Sequence, residues 1–168
     1  EYRRQRQMCI RDSQYDVIEG AWPEAYDECV LVLSHNGKIS DFLAYVLGLR
    51  DYDHLQEMVK SFVADDTMEV EVDTQSYPID ELLSTPLKLV NSADCYTYDD
   101  EYGVWVDKTD DEAFVKDLVA NGESLRITGI VQPKEGVTAT ALASGIYYTP
   151  ALPRHLIEQS AETQIVKD

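Results

Sequence analysis

Basic residues are scarce in this sequence, in which 14 Lys and Arg stand against 32 Asp and Glu. The formal net charge of −18 at pH 7 argues against a nucleic-acid partner or an anionic membrane surface, because both are bound through clusters of basic side chains. We therefore expect a solvated acidic exterior and no nucleic acid among the partners.

Long hydrophobic runs are also absent. A transmembrane helix needs about 20 consecutive apolar residues, whereas the longest uncharged run, 136–153, contains three Thr, two Gly and two Pro. Such a run is typical of turns, short strands and the start of a helix. The 168 residues, 44% of them hydrophobic, suit one globular domain or a large part of one.

Cysteine is rare, with three residues in the chain. Cys9 lies in an N-terminal segment treated below, which leaves Cys29 and Cys95 as one candidate pair. Neither has the CxxC neighbour of a zinc ligand set. One pair is weak support for a disulfide, and two buried thiols are the favoured interpretation.

Motifs that hold phosphates or expose a nucleophile are missing. The pair Gly37-Lys38 lacks an upstream Gly and is followed by Ile39, and no GxGxxG, GxSxG or HExxH occurs. The histidines are too scattered to bring two imidazoles to one metal ion: His35, His54 and His155. The sequence thus predicts a chain that is not an enzyme and has no catalytic residue, cofactor or metal.

Carboxylates do cluster in one region, and oxygen-rich clusters can attract calcium. The group lacks the spacing of a calcium loop, so solvated carboxylates at a hairpin tip and a helix start are the favoured interpretation. Its members are Asp99, Asp100, Glu101, Asp107, Asp110 and Asp111.

The segment 3–13, RRQRQMCIRDS, resembles the conceptual translation of a sequencing-library adapter. Residues 1–13 are accordingly expected to be non-native and to carry no folding information. The alternative is a basic arm that binds anionic partners. Residues 14–168 are expected to form the native domain, cut short at both ends.

Local patterns predict an α+β domain, with a mixed sheet and packed helices. Residues Cys95–Tyr98 and Tyr102–Val106 predict a hairpin with an acidic tip at 99–101. Other strands are predicted at Cys29–Leu33, Glu69–Val72, Leu87–Val90, Leu125–Val131, which Gly129 is expected to break, and Ile146–Tyr148. A rigid core is expected from Val30–Val32, Leu47 and Ile127–Val131.

Helices are predicted from caps and apolar stripes. Ser40 is expected to cap the first helix and Gly48 to end it, while Thr109 and Glu112 form a capping box for a later helix that stops at 121–122. Further helices are expected from Asp53, over 80–83 and near Pro153. The side chains expected inward are Phe42, Leu43, Val46, Leu47, Leu55, Met58, Val59, Phe62, Phe114, Val115, Leu118, Val119, Leu156 and Ile157.

Tyrosine is unusually frequent, with 11 Tyr against three Phe. A ring with a polar tip suits a recognition surface, although half-buried strand positions explain the same residues equally well. The candidate partner surface consists of Tyr96, Tyr98, Tyr102, Trp105, Tyr147 and Tyr148.

Two segments resemble the MacB-like periplasmic core domain of FtsX-like ABC-transporter permeases, in versions found in Firmicutes-like gut bacteria. The first is WPEAYDECVLVLSHNGKISDFLAYVLGL (Trp22–Leu49). It has a Pro followed by acidic residues, then a strand, then a helix ending in Leu-Gly-Leu. The second, LRITGIVQPKEGVTATALASGIYYTPAL (Leu125–Leu152), is similar to the family's Val-Gly-Ile-Val strand and later Tyr-Thr segment.

The resemblance implies an extracytoplasmic domain at the cell membrane. It carries no catalytic residue of the family over to this sequence. ATP would be hydrolysed by a separate cytoplasmic subunit, and the permease would relay motion to substrate export or to an envelope protein or peptide. A permease dimer is a further expected partner. The alternatives are a stand-alone extracellular binding module for a peptide or envelope polymer, and an acidic secreted hydrolase, which would need carboxylates clustered in a pocket.

Overall fold

The structure is a computed structural model that describes residues 13–49 and 77–167. The helix predicted from Asp53 and the strand predicted at Glu69–Val72 lie outside the described residues, as do His54 and Cys9. The described elements, in chain order, are β1 (Tyr15–Gly20), β2 (Glu28–Val32), α1 (Asp41–Val46), α2 (Ile79–Ser84), β3 (Leu87–Leu89), a 3-10 turn (Ser92–Cys95), β4 (Tyr96–Asp99), β5 (Val104–Asp107), α3 (Glu112–Asn121), β6 (Glu123–Pro133), β7 (Gly145–Tyr148), α4 (Ala151–Glu162) and α5 (Gln164–Lys167).

The fold is α+β with a mixed sheet, as the sequence predicts. Four strands follow the order β1-β6-β2-β7, β3 pairs with β6, and β4 and β5 form a separate two-stranded sheet. β1 and β6 are antiparallel, from Tyr15 opposite Pro133 to Gly20 opposite Gly129, with a register shift between Val17 and Glu19 that marks a bulge.

The chain divides into two compact units. The described residues of the first lie in 13–22, 30–49, 77–85 and 127–147, and those of the second in 23–29, 86–126 and 148–167. Strands β2, β6 and β7 each contribute residues to both units, so three of the five sequence boundaries fall within strands. The other two, after Trp22 and after Thr85, fall in loops.

The first unit is organised around Tyr15. Its ring packs with Val30, Val32 and Val131, and Trp22 meets it edge-on at a centroid distance of 6.0 Å. The hydroxyl donates to the carbonyl oxygen of Leu142 at 2.9 Å and accepts from the N–H of the same residue at 2.6 Å. The one polar atom of this buried ring is therefore satisfied.

The core predicted from the apolar runs is confirmed. Leu31 and Ile130 are fully buried, and Leu47 and Ile127 are nearly so. Burying one such aliphatic side chain stabilises a fold by about 1.5–3 kcal/mol, so these runs hold the first unit together.

Gly129 does not break its strand, which corrects the prediction, since β6 runs without interruption from Glu123 to Pro133. The residue lies against the backbone of Ala21, and a β-carbon there would overlap the Ala21 carbonyl. Glycine is required at this position for close approach between chain segments rather than for a bend.

Helix α1 begins and ends where predicted. The Ser40 hydroxyl accepts the N–H of Leu43 at 3.2 Å, and Gly48 has the left-handed φ of +70°. Val46 was predicted to face inward but is 54% exposed. The buried side of this short helix is formed by Leu43, Ala44, Tyr45 and Leu47, and Val46 projects from the opposite side.

Helix α3 is a surface helix whose predicted core face is buried only in part. Phe114, Val115 and Leu118 are half-buried, and Val119 is 42% exposed. The predicted capping box is also wrong, because Asp111 is the N-cap and Glu112 pairs with Lys116 at 2.6 Å. The stop at Gly122 is confirmed, but with φ −60° in place of a left-handed cap.

Helix α4 is held to the 3-10 turn region through a polar contact. The buried Asn91 amide donates to the carbonyl oxygen of Leu156 at 3.2 Å and to the Ser160 hydroxyl at 2.8 Å. Leu152 is the buried apolar anchor and Leu156 is half-buried. Ile157, predicted to face inward, is 69% exposed. Over 13–49 and 77–167, no helix is long and apolar enough to cross a membrane.

Candidate partner-binding surface

The hairpin β4–β5 gathers most of the predicted aromatic residues. Its strands pair antiparallel with Tyr96 opposite Asp107 and Tyr98 opposite Trp105. Directly opposed residues point to the same side of a two-stranded sheet, and alternate residues of one strand share a face. One face of the hairpin therefore carries Tyr96, Tyr98, Trp105 and Asp107, and we call it the aromatic face.

Tyr98 and Trp105 form the centre of the aromatic face. Their ring centroids are 5.2 Å apart and their planes are inclined at 60°, an edge-to-face arrangement that fixes both rings. Tyr98 is still 48% exposed, and Trp105 is half-buried. Gly103, at φ +64°, leaves room beside the Tyr98 hydroxyl. The rings are pre-oriented while a large part of the Tyr98 ring meets solvent.

The turn at the tip places a further ring outside the strands. The Asp99 carboxylate accepts the N–H groups of Glu101 at 2.9 Å and Tyr102 at 3.1 Å, and the N–H of Gly103 returns to the Asp99 carbonyl at 2.8 Å. Asp and Gly suit such a turn because the short carboxylate reaches the backbone and glycine adopts a positive φ. Tyr102, predicted in a strand, lies in this turn and is 73% exposed.

Negative charge surrounds these rings. Asp100 and Glu101 are exposed at the tip, and Asp94 is exposed just before β4. On the aromatic face itself, Asp107 accepts the N–H and the hydroxyl of Thr109 at 2.9 and 2.8 Å, and these bonds lower the pKa of its carboxyl group. The hairpin therefore presents aromatic rings together with acidic side chains, and the Thr109 hydrogen bonds favour the ionised form of Asp107.

The two remaining predicted surface residues lie on β7. Tyr148 is 56% exposed and belongs to the second unit with the hairpin, whereas Tyr147 belongs to the first unit and packs against the Tyr15 core. The Tyr147 hydroxyl donates to the Ala143 carbonyl at 3.1 Å. The hairpin thus unites four of the six predicted residues, and the other two are placed by strand β7.

Three of the six acidic residues weighed as a calcium group have separate structural contacts. Asp99 holds the turn, Asp107 binds Thr109, and Asp111 accepts the Phe114 N–H at 3.1 Å. Within the part of the chain that the structure describes, no three His, Cys, Asp or Glu side chains are grouped to hold a metal ion.

A polar cluster around His155 was not predicted. Its imidazole stacks on Tyr26 at a centroid distance of 3.9 Å, and its Nε2 contacts the Glu123 carboxylate at 2.9 Å. Gln159 donates to the other oxygen of Glu123 at 2.6 Å. These contacts fasten α4 to the first residue of β6. The i, i+4 spacing of His155 and Gln159 was a visible signal, but nothing local pointed to Glu123 as their partner.

Cys29 and Cys95 are thiols rather than the halves of a disulfide, as the sequence interpretation favoured. Cys29 is buried and its Sγ donates to the carbonyl oxygen of Arg126 at 3.3 Å. Burial raises the pKa of the Cys29 thiol to about 11, which makes it a poor nucleophile at neutral pH. Cys95, predicted to be buried, is half-buried.

Comparison of the chain with protein-family models, with curated proteins and with solved structures yields no match. The resemblance to permease domains therefore rests on the two segments Trp22–Leu49 and Leu125–Leu152 alone.

Proposed function

We propose that this chain is a non-catalytic extracytoplasmic domain of an ABC-transporter permease at the cell membrane, and that it holds an envelope protein or peptide through the aromatic hairpin. In this role the domain passes ATP-driven motion, generated by a cytoplasmic ATPase subunit, to substrate export or to its partner. The observation that carries the proposal is the exposure of Tyr98 and Tyr102 on a hairpin whose geometry is fixed.

Exposed aromatic rings favour a binding role. Aromatic side chains are enriched at protein interfaces because they bury a large area at a small cost in conformational entropy. The Tyr98 ring is already ordered by Trp105, and the Tyr102 turn by Asp99. A partner would therefore lose little free energy in ordering this surface.

A relay of motion favours a stiff body, and the first unit supplies one. Leu31, Val32, Ile130 and Val131 are fully buried, and close-packed interiors transmit displacement because they compress little. The Tyr15 hydroxyl adds two hydrogen bonds to Leu142 within the same core.

The complete reading frame tests the transporter proposal. We expect transmembrane segments in the same frame as this chain and a neighbouring gene for an ABC-type ATPase. The full-length protein should co-purify with that ATPase in detergent, with cross-linking of permease pairs as a check for the dimer. A complete gene that encodes a free secreted protein, or turnover of a nucleotide by the purified chain, would overturn the proposal.

A stand-alone extracellular binding module is the second candidate, because the same exposed rings would serve it. The two candidates differ in what lies beside the domain rather than in the surface used. A reading frame without membrane segments, joined to retained binding of an envelope peptide or polymer, would favour this candidate.

A further inference from the structure

We propose that the aromatic face and its acidic tip bind a cationic, arginine-containing segment of a partner protein. The inference rests on the proposed function only in taking the hairpin as the contact surface, and it adds the chemistry of the partner. It requires no transporter.

Aromatic rings and carboxylates both lie on this hairpin. Asp107 shares the aromatic face with Tyr98 and Trp105, and Asp100 and Glu101 flank Tyr102 at the tip. A cation placed over a tyrosine or tryptophan ring is attracted by the negative ring face. A carboxylate on the same face adds a charge-assisted hydrogen bond to that cation.

The charge balance decides between classes of occupant. An anionic ligand is disfavoured because the chain carries a net charge of −18, and Lys108 is the one basic residue from 92 to 111. A second copy of this chain is disfavoured for the same reason, since identical acidic hairpins repel each other. A basic segment is complementary both to the rings and to the carboxylates.

Arginine fits this surface better than lysine. The guanidinium is planar, stacks on aromatic rings and donates two parallel hydrogen bonds to a carboxylate, whereas the ammonium of lysine is compact and strongly hydrated. The Asp107 carboxylate is available as an anion because the Thr109 hydrogen bonds stabilise its ionised form. We therefore expect binding that prefers arginine to lysine at equal charge.

The test measures binding of a short synthetic peptide of alternating arginine and serine to the purified chain at about 0.15 M salt, where screening limits attraction to roughly 8 Å. The chain has two Trp residues, so a Trp22→Phe background leaves Trp105 as the reporter. We expect the Trp105 emission to shift on peptide addition, with weaker binding for the lysine peptide and none for a neutral citrulline peptide.

Matched variants separate this site from diffuse attraction to an acidic protein. Tyr98→Ser and Tyr102→Ser should each lower the affinity for the arginine peptide about five-fold, the loss expected for one cation–π contact. Asp107→Asn keeps the acceptor for Thr109 but removes the charge, and it should weaken binding similarly. Ile157→Ser and Glu158→Gln remove an exposed apolar side chain and an exposed charge from α4 and should change nothing.

Equal weakening by the α4 and hairpin variants would overturn the inference, as would equal binding of the citrulline peptide. Self-association that Tyr102→Ser abolishes would also overturn it, because the occupant would then be a second copy. Circular dichroism of each variant confirms that the fold is kept. If arginine binding fails while the full-length protein still co-purifies with an ATPase, the transporter proposal stands and this inference falls. If the arginine peptide binds as expected but the full-length protein does not co-purify with an ATPase, the transporter proposal falls and this inference stands.

Discussion

The side chain of Asp99 accepts the backbone N–H of Tyr102 at 3.1 Å and thereby fixes the turn that carries the most exposed aromatic ring of the hairpin. The sequence predicts solvated carboxylates at the tip 99–101, and from that pattern substitutions of any of the three are expected to leave folding intact. With Asp99 bonded to the backbone of both Glu101 and Tyr102, that expectation now applies to Asp100 and Glu101 only.

Asp99→Ala should lower the free energy of unfolding of the chain by about 1 kcal/mol, since two turn hydrogen bonds are lost. The near-ultraviolet circular dichroism of the Tyr98–Trp105 pair should weaken with it. Asp100→Ala is the matched control and should change neither signal. Equal effects of the two substitutions would contradict the role assigned to Asp99.

Ile130→Asp should prevent stable folding, because Ile130 is completely buried and an unpaired carboxylate there has no compensating charge. The expected loss exceeds about 4 kcal/mol, the upper range for single substitutions. Ile157→Asp introduces the same charge at a 69% exposed position and should shift the denaturant midpoint little. Urea denaturation followed by circular dichroism compares the two, and an Ile130→Asp chain of normal stability would refute the core assignment.

Gly129→Ala should destabilise the chain strongly, since the new β-carbon would overlap the Ala21 carbonyl in a backbone contact that cannot yield. Gly136→Ala is the informative comparison. Gly136 has a φ of +83° with open space around it, so its substitution carries only the conformational penalty of about 1 kcal/mol. Thermal unfolding should rank Gly129→Ala well below Gly136→Ala, and the reverse order would argue against close approach at β6.

Asp111→Ala should weaken helix α3 by about 1 kcal/mol, the usual effect of losing an N-cap side chain. Thr109→Ala removes a bond to Asp107 instead and should affect the helix much less. Far-ultraviolet circular dichroism and urea midpoints of both variants check this. A larger loss for Thr109→Ala would restore the capping box that the sequence predicted.

Cys29 should resist alkylation that modifies Cys95. The pKa of the Cys29 thiol is raised to about 11 by burial, whereas an unfolded cysteine has a pKa of about 8.5. Because the folded value is the higher one, this thiol contributes stability below about pH 8.5 that is lost as the pH rises towards 11. Peptide mass spectrometry after iodoacetamide at pH 8.5 should find Cys95 labelled before Cys29. The denaturant midpoints of Cys29→Ala should lose part of the alkaline pH dependence. Labelling of Cys29 first would contradict its burial.

Local signals in the sequence predicted much of the fold. The apolar run at Cys29–Leu33, the Ser40 cap, and the acidic tip between two aromatic segments each depend on neighbouring residues, and each forms as expected. The α+β class follows from the same patterns. Four of the six predicted surface residues fall on the hairpin for the same reason, because alternation along a strand is a local property.

Features that depend on distant residues could not be predicted in this way. A glycine within a strand pattern predicts a break, and only the contact with the Ala21 backbone explains why Gly129 lies in an unbroken strand. Ile157 reads as a core residue on helical periodicity, but Leu152 and the Asn91 contacts decide which side of α4 is buried. The contacts of His155 with Tyr26 and Glu123 join residues far apart in the chain.

The bulge between Val17 and Glu19 has a consequence for solubility. Among the strands that the structure describes, β1 is terminal in the four-strand path, and Val17 and Ile18 are both more than 40% exposed on it. A straight apolar border of this kind would template the addition of strands from other molecules. The extra residue bends the strand and interrupts the regular spacing of its N–H and C=O groups. A strand from another molecule therefore cannot form a continuous ladder of hydrogen bonds along β1.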